Sequence, residues 1–237
     1  YLKRPEYAEA AIDFILENSG VTPESNIADI GAGVAHLSIM MERRGHVITA
    51  VEPNDNMRSH GMKRTEALPN ISWIEGTGEN TGLADDTYHL VTYGSSFNVM
   101  DRTKALAEMR RITRPHGYFA ALWKHRDLND PIQKRVEEII QSNISSYEYG
   151  VRREDQTEFL EKSGHFATVT PNVSTVTHHV EVKDYMKAWR SHATLARQAG
   201  DRFESIVDEI EKYIESIADQ NTIPIPYFTK TWLAKLN

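Results

Sequence analysis

Hydrophobic residues along this 237-residue chain form short apolar runs that alternate with stretches of helical spacing. Between two of these runs, Leu106, Met109 and Ile112 recur every three residues, as on one face of a helix. The alternation indicates a mostly parallel sheet with helices on both faces. The apolar runs predict strands at 27–30, 47–52, 71–75, 88–94 and 118–123.

The last hundred or so residues have a less regular pattern. It predicts helices at 131–143, 158–163, 184–199 and 202–219, a strand near 166–171 and a final strand within "PYFTKTWLAKL". We expect one domain over residues 1–237, in which segments 127–155 and 183–220 form a partly helical cap over the ligand edge of the sheet. In the alternative interpretation, these helices cover a face of the sheet or an oligomer interface.

The stretch "NIADIGAGVAHLSIMM" (26–41) joins the first strand to a helix through Gly31 and Gly33. Glycine lets the backbone approach a ligand closely, and ligands of open parallel sheets lie at the carboxyl ends of the strands. Glu52 ends the second strand, where its carboxylate can accept hydrogen bonds from two ribose hydroxyls. Both a nicotinamide dinucleotide and S-adenosylmethionine fit these residues.

Three positions distinguish a site for a nicotinamide dinucleotide from a site for S-adenosylmethionine. The dinucleotide fingerprint requires a third glycine, and the chain has the bulky His36 in that place. Asp29 would repel a pyrophosphate, whereas it can pair with the ammonium group of an amino acid. Ala35 stands where many sites for S-adenosylmethionine have their last glycine. The pattern therefore favours S-adenosylmethionine.

Composition narrows the function classes further. The chain has no cysteine, which excludes disulfides and thiolate metal sites. His178 and His179 lie on a predicted strand, where neighbouring side chains point to opposite faces, and we predict no metal site. The net charge of -7 argues against a nucleic-acid substrate. No apolar run is long enough to span a membrane and no secretory signal is recognisable, so we expect a cytoplasmic protein without a membrane partner.

Four consecutive segments resemble motifs of class I S-adenosylmethionine-dependent methyltransferases. They are "ADIGAGVAHLS", "AVEPNDNMR", "WIEGTGENTGLADDTYHLVTYGSSFN" and "ALAEMRRITRPHGYFAALWKHRDLNDP". The resemblance covers roughly residues 1–130 and is closest to the small-molecule branch that includes trans-aconitate methyltransferase-like proteins. It implies a Rossmann-like, doubly wound, mostly parallel α/β sheet of seven strands, in which "PYFTKTWLAKL" is similar to the reversed last strand of that fold.

The same resemblance implies which residues hold the cofactor. The methionine part would lie against Asp29, Gly31, Ala32 and Gly33. The ribose would bind to Glu52, and the adenine would lie beside Pro53, Asn54 and Met57, with its edge read by Gly78 and Glu79. The sulfonium would lie beside Ser95 and Ser96, and Arg4 would reach toward a carboxylate of the cofactor or the substrate.

Catalysis by such an enzyme consists mainly of aligning the acceptor with the methyl group. A general base helps only if the acceptor must lose a proton. His125 directly follows the fifth strand and is a candidate for that base, and Ser96 and Asn98 are the other candidates. The alternatives are a surface histidine that hydrogen-bonds the next loop, and ordinary loop packing for Asn98.

The candidate substrate contacts are Phe97, Arg126, Tyr147, Tyr149, Arg152, Arg190 and His192. Arg126 could bind a carboxylate through two parallel hydrogen bonds, or form a salt bridge with Asp127 or Asp130. Arg190 and His192 share one predicted helix and are expected to point inward. Loop packing for Phe97, and a lid without ligand contact for residues 147–152, are the alternatives.

The sequence thus predicts an enzyme that transfers the methyl group of S-adenosylmethionine to a small polar or carboxylated metabolite. It would release S-adenosylhomocysteine and act as a monomer or homodimer. An enzyme of the same fold that transfers or cyclises the aminocarboxypropyl arm, releasing methylthioadenosine, would use the same binding residues. A dinucleotide-dependent dehydrogenase, a nucleic-acid methyltransferase and a catalytically silent cofactor-binding protein are the weaker alternatives.

Overall fold

The computed structural model describes residues 6–148 and 154–237. It contains a mixed sheet of seven strands in the order β3-β2-β1-β4-β5-β7-β6, with helices on its flanks. This arrangement confirms the predicted α/β class. The strands are β1 (Asn26–Ile30), β2 (Val47–Val51), β3 (Ile71–Ile74), β4 (Tyr88–Gly94), β5 (Thr113–Arg126), β6 (Phe166–Glu181) and β7 (Thr222–Leu236).

Polar side chains fix the starts of several helices. Asn54, Asp101 and Asp130 each accept a hydrogen bond from the backbone N–H three residues later, which satisfies a group that the first turn leaves open. The helices are α1 (Glu9–Ser19), α2 (His36–Glu42), α3 (Asp55–Arg64), α4 (Arg102–Ile112), α5 (Pro131–Asn143), α6 (Thr157–Lys162), α7 (Val182–Arg190), α8 (Ala193–Ala199) and α9 (Phe203–Ile217).

The parallel register of the central strands places three strand ends side by side. Ile30 of β1 pairs with Val51 of β2, and Asp29 of β1 pairs with Thr92 of β4. Both neighbours of β1 are parallel to it, so the turns after β1, β2 and β4 leave the sheet at the same edge. This is the edge at which open parallel sheets bind ligands.

The chain divides into two compact units, each with an apolar core of its own. The large unit comprises Glu6–Lys124, Glu154–Ser174 and Thr229–Asn237, and its core includes Ile30, Phe119 and Trp232. The small unit comprises, among the described residues, 125–148 and Thr175–Phe228, and its core includes Val136 and Ile210. Whether the small unit acts as a cap stays a prediction.

Three predicted elements differ from the structure. The helix predicted at 184–199 is two helices, α7 and α8, because His192 begins the second by accepting a hydrogen bond from the N–H of Leu195. Strand β5 starts at Thr113, five residues before the predicted start, and contains a bulge in which residues 114–117 lie opposite a single residue of β4. Strand β6 continues ten residues beyond its predicted end at 171, to Glu181.

Candidate functional site

The turn after β1 is packed tightly against the turn after β4. The N–H groups of Gly31 and Ala32 both donate to the carbonyl of Val51, at 2.8 and 3.0 Å, so they are used within the sheet and are not directed toward a ligand. Gly31 has a φ of +69°, and a Cβ there would lie 2.5 Å from the Cβ of Ser96. Glycine is therefore required at this position by backbone conformation and by space together.

Glu52, directly after β2, connects two turns at this edge. Its side chain is buried; Oε2 accepts a hydrogen bond from the N–H of Gly33 and Oε1 accepts one from the N–H of Asn54, both at 2.9 Å. Each carboxylate oxygen can accept a further hydrogen bond. A carboxylate fixed in this way is well suited to receive two hydroxyl groups of a ligand.

Asp29 lies beneath the turn, with only 1% of its surface exposed. Its two carboxylate oxygens accept hydrogen bonds from the hydroxyls of Ser38 (2.6 Å) and Thr92 (3.1 Å). Burial raises the pKa of this carboxyl to about 6, although the two hydroxyls oppose the shift. In the structure Asp29 joins β1 to α2 and β4. The predicted pairing with an ammonium group stays a prediction.

Ser38 and Thr92 were not candidates from the sequence. Thr92 is the residue directly paired with Asp29 across the β1–β4 ladder, and Ser38 lies in the first turn of α2. The β1–β4 register brings the hydroxyl of Thr92 to this carboxylate, and the turn from β1 into α2 brings that of Ser38. Thr92 is far from Asp29 in the sequence, so that contact leaves no local signal.

The turn after β3 carries the segment predicted to face the adenine edge. Glu79 accepts a hydrogen bond from the N–H of Asp101 at 2.7 Å. A Cβ on Gly78 would lie 2.2 Å from the sulfur of Met100, and a Cβ on Gly31 would lie 3.9 Å from its methyl carbon. The thioether of Met100 therefore lies between two of the glycine turns. Met100 was not a candidate from the sequence, since its only local signal is its place just before the helix cap at Asp101.

The predicted adenine neighbours after β2 are accessible. Pro53 is exposed and Met57 is partly exposed. The side chain of Asn54 accepts a hydrogen bond from the N–H of Met57 at 3.0 Å, which holds the first turn of α3 in place. The three residues thus form one ordered turn beside Glu52.

The two serines after β4 have different roles in the structure. Ser95 has a left-handed backbone with φ of +59°, a strained conformation for a residue with a side chain, and its hydroxyl lies 3.0 Å from that of Tyr7. Ser96 is buried and donates its hydroxyl hydrogen to the carbonyl of Ile30 at 2.6 Å. That bond directs the proton of Ser96 to the backbone and fixes the β4 turn over β1. Tyr7, like Met100, was missed from the sequence.

Phe97 and Asn98 are held by packing. Phe97 is fully buried, with ring centroids 5.3 Å from Tyr93 and 5.4 Å from Phe119. The expectation that it contacts substrate does not fit this position, and loop packing accounts for it. The carbonyl of the Asn98 side chain accepts a hydrogen bond from the indole N–H of Trp123 at 2.7 Å.

In the small unit, His125 and Arg126 end strand β5. His125 is 2% exposed, with its ring 5.5 Å from that of Phe228, so the alternative of a surface histidine is wrong. Arg126 forms an ion pair of 2.7 Å with Glu137, not with Asp127 or Asp130 as the salt-bridge alternative supposed. Its charge is thus already compensated within the small unit.

The other substrate candidates lie apart from one another. Tyr147 is buried in the apolar core of the small unit. Arg190 ends α7 and forms ion pairs with acidic side chains of α9, and His192 begins α8, so the expectation that both point inward from one helix is wrong. The partners of Arg190 are Glu204, Asp208 and Glu211. Arg4, Tyr149 and Arg152 lie outside the described residues.

Two further properties concern the described residues as a whole. Over residues 6–148 and 154–237, no three histidine, aspartate or glutamate side chains are grouped so that they could hold a metal ion. In the same part of the chain, no helix combines the length and the apolar character that crossing a membrane requires.

Comparison with known proteins agrees with this geometry. Residues 28–121 match a family model described as a methyltransferase domain. A solved structure from Anaeromyxobacter dehalogenans, described as a type II methyltransferase, superimposes with a TM-score of 0.74 over 99% of this chain and 97% of that one, at 15% sequence identity. The two chains therefore share a fold, a Rossmann-like α/β sheet with flanking helices.

Sequence relatives carry methyltransferase names as well. An uncharacterised methyltransferase of Mycobacterium bovis is 31% identical over 124 residues, 52% of this chain and 48% of the relative. A ubiquinone/menaquinone biosynthesis C-methyltransferase of Vibrio vulnificus is 26% identical over 155 residues, 57% of this chain and 59% of the relative. The chain thus matches only about half the length of these relatives. The sequence matches therefore concern a methyltransferase domain within part of this chain.

Proposed function

We propose that the protein transfers the methyl group of S-adenosylmethionine to a small polar metabolite and releases S-adenosylhomocysteine. The observation that carries this proposal is the arrangement around Glu52, whose two carboxylate oxygens join the turns after β1 and β2. The match of residues 28–121 to the methyltransferase family supports the same conclusion. The acidic net charge of -7 favours a metabolite over a nucleic acid as the acceptor.

The residues of the strand-end turns fit the proposed cofactor. Glu52 would accept hydrogen bonds from the ribose hydroxyls, with Pro53 and Met57 beside the adenine. The methionine part would lie against Gly31, Ala32 and Gly33, above the buried Asp29. Gly78, Glu79, Ser95, Ser96 and Met100 would complete the cradle. The cofactor supplies an activated methyl group, and these side chains supply its position.

The chemical step then depends mainly on alignment. An acceptor atom held in line behind the methyl group gains the advantage of proximity and orientation, which is about 7–11 kcal/mol in favourable cases. Ser96 and Asn98 are engaged with the Ile30 carbonyl and the Trp123 indole, so we assign them to positioning. His125 remains our proposed general base for an acceptor that must lose a proton.

The substrate is proposed to be a small polar or carboxylated metabolite, in line with the sequence resemblance to the trans-aconitate methyltransferase-like branch. Four arginines, Arg4, Arg126, Arg152 and Arg190, were the candidates for binding a substrate carboxylate. Two of them already form ion pairs within the protein: Arg126 with Glu137, and Arg190 with three acidic side chains. Arg4 and Arg152 lie outside the described residues. The paired arginines favour the polar alternative over the carboxylate.

The test of the cofactor assignment is calorimetric titration with S-adenosylhomocysteine. Glu52→Ala should weaken binding roughly 5- to 150-fold, since it removes charge-assisted hydrogen bonds worth about 1–3 kcal/mol. Glu75→Ala is the matched control, because Glu75 follows β3 and is exposed in a surface ion pair with Arg58. An equal dissociation constant for both variants would contradict the role of Glu52.

The test of the reaction is mass spectrometry of the spent cofactor. S-adenosylhomocysteine that forms only when a metabolite extract is added supports methyl transfer, and a product heavier by one methyl group identifies the acceptor. Methylthioadenosine that forms without any acceptor would contradict methyl transfer while leaving the cofactor assignment intact.

A further inference from the structure

In the described part of the small unit, three polar side chains have buried atoms without a hydrogen-bond partner among the described residues. The first is Arg126, the last residue of β5. Its Nη2 donates to Glu137 at 2.7 Å and its guanidinium carbon lies 4.9 Å from the ring centre of Trp189. Its other terminal nitrogen, Nη1, is buried and has no acceptor in the described part of the chain.

The second is Tyr185, which lies one helical turn before Trp189 on α7, with the two rings 6.3 Å apart. Its ring is buried, and its hydroxyl oxygen lies close enough to the indole N–H of Trp189 to feel that donor, whereas its hydroxyl hydrogen has no acceptor among the described groups. Burial raises the pKa of this phenol, while the Arg126 cation and the Trp189 indole act in the opposite direction. Tyr185 and Arg126 are therefore neighbours around one indole ring.

The third is Gln133, one helical turn before Glu137 on α5 and fully buried. Its amide nitrogen lies 3.4 Å from the carbonyl of Pro226, and its Oε1 has no donor among the described residues. Glu137 is the residue that holds Arg126, so Gln133 lies on the side of α5 that faces the end of β5.

Such groups are rare in folded proteins, because burial removes a polar atom's hydrogen bonds to water and, without a protein partner, nothing compensates that free-energy cost. Apolar side chains of similar shape would stabilise the same interior better. In the large unit, the buried hydroxyl of Tyr93 donates to the carbonyl of Ala105, while that of Thr231 has no partner among the described residues. The small unit differs in that three such atoms, counted over the described residues, lie around one ion pair, which points to a use other than folding.

We propose that Arg126, Tyr185 and Gln133 form a binding subsite for an uncharged oxygen-bearing group, such as a carbonyl, an amide or a hydroxyl. Nη1 and the phenol would donate to the oxygen, and Oε1 would accept from its hydrogen where it has one. The identification of this group as part of the methyl acceptor rests on the proposed function.

The charges of the subsite exclude a carboxylate as the preferred ligand. Glu137 already neutralises Arg126, and Asp130 adds negative charge near Tyr185. A buried anion would thus meet no uncompensated positive charge, and burying a charge without a partner is strongly unfavourable. The rings of Tyr185 and Trp189 favour a ligand with an apolar or aromatic body.

The first test compares the thermal midpoints of two variants without any ligand. Tyr185→Phe should raise the midpoint by about 2–4 °C, since it removes an unpartnered polar group from the interior. Tyr93→Phe, the matched control, should lower it, because this hydroxyl has a partner. A fall for Tyr185→Phe comparable with that for Tyr93→Phe would overturn the proposal, since the hydroxyl would then have a partner such as a buried water.

The second test measures binding of benzamide, phenol and benzoate by NMR titration. Benzamide and phenol should bind the wild-type protein more tightly than benzoate. Tyr185→Phe, and Arg126→Lys, which keeps a cation for Glu137, should weaken benzamide binding at least tenfold. Tightest binding by benzoate, or benzamide binding that is absent or unchanged in the variants, would overturn the subsite.

Titration of the same proteins with S-adenosylhomocysteine separates the two proposals. Normal S-adenosylhomocysteine binding combined with failure of the subsite tests removes only the subsite. Absence of S-adenosylhomocysteine binding by the wild-type protein removes the proposed function, whatever the result with benzamide.

Discussion

The strand-end turns of the large unit and the interior of the small unit differ in whether their buried polar atoms have hydrogen-bond partners. In the turns, Asp29, Glu52 and Ser96 each have hydrogen-bond partners at 2.6–3.1 Å. In the small unit, Arg126, Tyr185 and Gln133 each have a buried atom without a partner among the described residues, 6–148 and 154–237. The polar atoms of the first region are thus hydrogen-bonded within the protein, whereas those three atoms are not bonded to any described group.

This difference suggests a division of tasks. A cradle whose side chains are already fixed loses little conformational freedom on binding, which suits a cofactor that is the same in every turnover. Buried donors and acceptors without partners discriminate strongly between ligands, because a ligand that cannot satisfy them leaves them unpaired. The turns of the large unit thus suit the proposed cofactor, and the described polar atoms of the small unit suit the proposed subsite.

The largest effect should come from breaking the ion pair of the small unit. Arg126→Met leaves Glu137 buried and unpaired, which should cost about 3–5 kcal/mol of unfolding free energy in urea titrations. The double variant Arg126→Met/Glu137→Met should recover most of this loss. Arg190→Met is the control, since its ion pairs are at the surface, where water and salt screen them, and it should cost much less. Equal losses for Arg126→Met and Arg190→Met would contradict the compensated pair.

A smaller effect is expected from closing the space in the β1 turn. Gly31→Ala combines a left-handed residue with a side-chain clash against Ser96, and should destabilise the fold by about 2–4 kcal/mol and abolish tight binding of S-adenosylhomocysteine. Gly20→Ala has nearly the same φ, +64°, with no atom within 4 Å of the added Cβ. It should cost only the backbone strain of about 1–2 kcal/mol. Equal unfolding free energies for the two variants would show that the β1 turn has room to relax.

The buried carboxyl of Asp29 should give the stability a dependence on pH. Its pKa is about 6 in the folded protein and near 3.8 when unfolded. Between these values the folded state holds a proton that the unfolded state has lost, so this group reduces stability as the pH rises. From pH 4.5 to pH 7 the wild-type protein should lose about 2 kcal/mol relative to Asp29→Asn.

The measurement is the urea midpoint of both proteins at the two pH values. The comparison with Asp29→Asn matters because burial lowers the pKa of His46, His89 and His165, and these groups change stability with pH in the opposite sense. A difference between the two proteins that stays constant from pH 4.5 to 7 would contradict the raised pKa.

Local patterns in the sequence were sufficient for the order of strands and helices in the large unit and for the edge that carries the turns. Glycines, a terminal glutamate and polar helix caps are local signals, and Gly31, Glu52 and Asp101 were found through them. Contacts between distant segments leave no such signal. The contact of Thr92 with Asp29 follows from the register of β1 and β4, and the place of Met100 between two glycine turns follows from the fold around them.

The small unit was predicted less well for a related physical reason. Helical spacing shows that a face is apolar, but it does not show which polar side chains are buried with it. The spacing over 184–199 looked continuous, although a side-chain cap at His192 divides it into two helices. Arg126 was a candidate substrate contact, which stays a prediction, whereas its partner Glu137 lies eleven residues away on the next helix and could not be distinguished from the nearer Asp127 and Asp130.

The smallest effect concerns the residue that stands in place of a third glycine. Ala35 precedes α2 with φ of +68° and is fully buried, so its backbone adopts a conformation that an alanine reaches at a cost of about 1–2 kcal/mol. Ala35→Gly removes this strain but adds freedom to the unfolded chain, which offsets about half of the gain. We therefore expect a net stabilisation of about 0.5–1 kcal/mol in urea titrations. Ala28→Gly, at a buried strand position, should instead destabilise. A loss of stability for both variants would mean that the methyl group of Ala35 contributes more through packing than its backbone costs in strain.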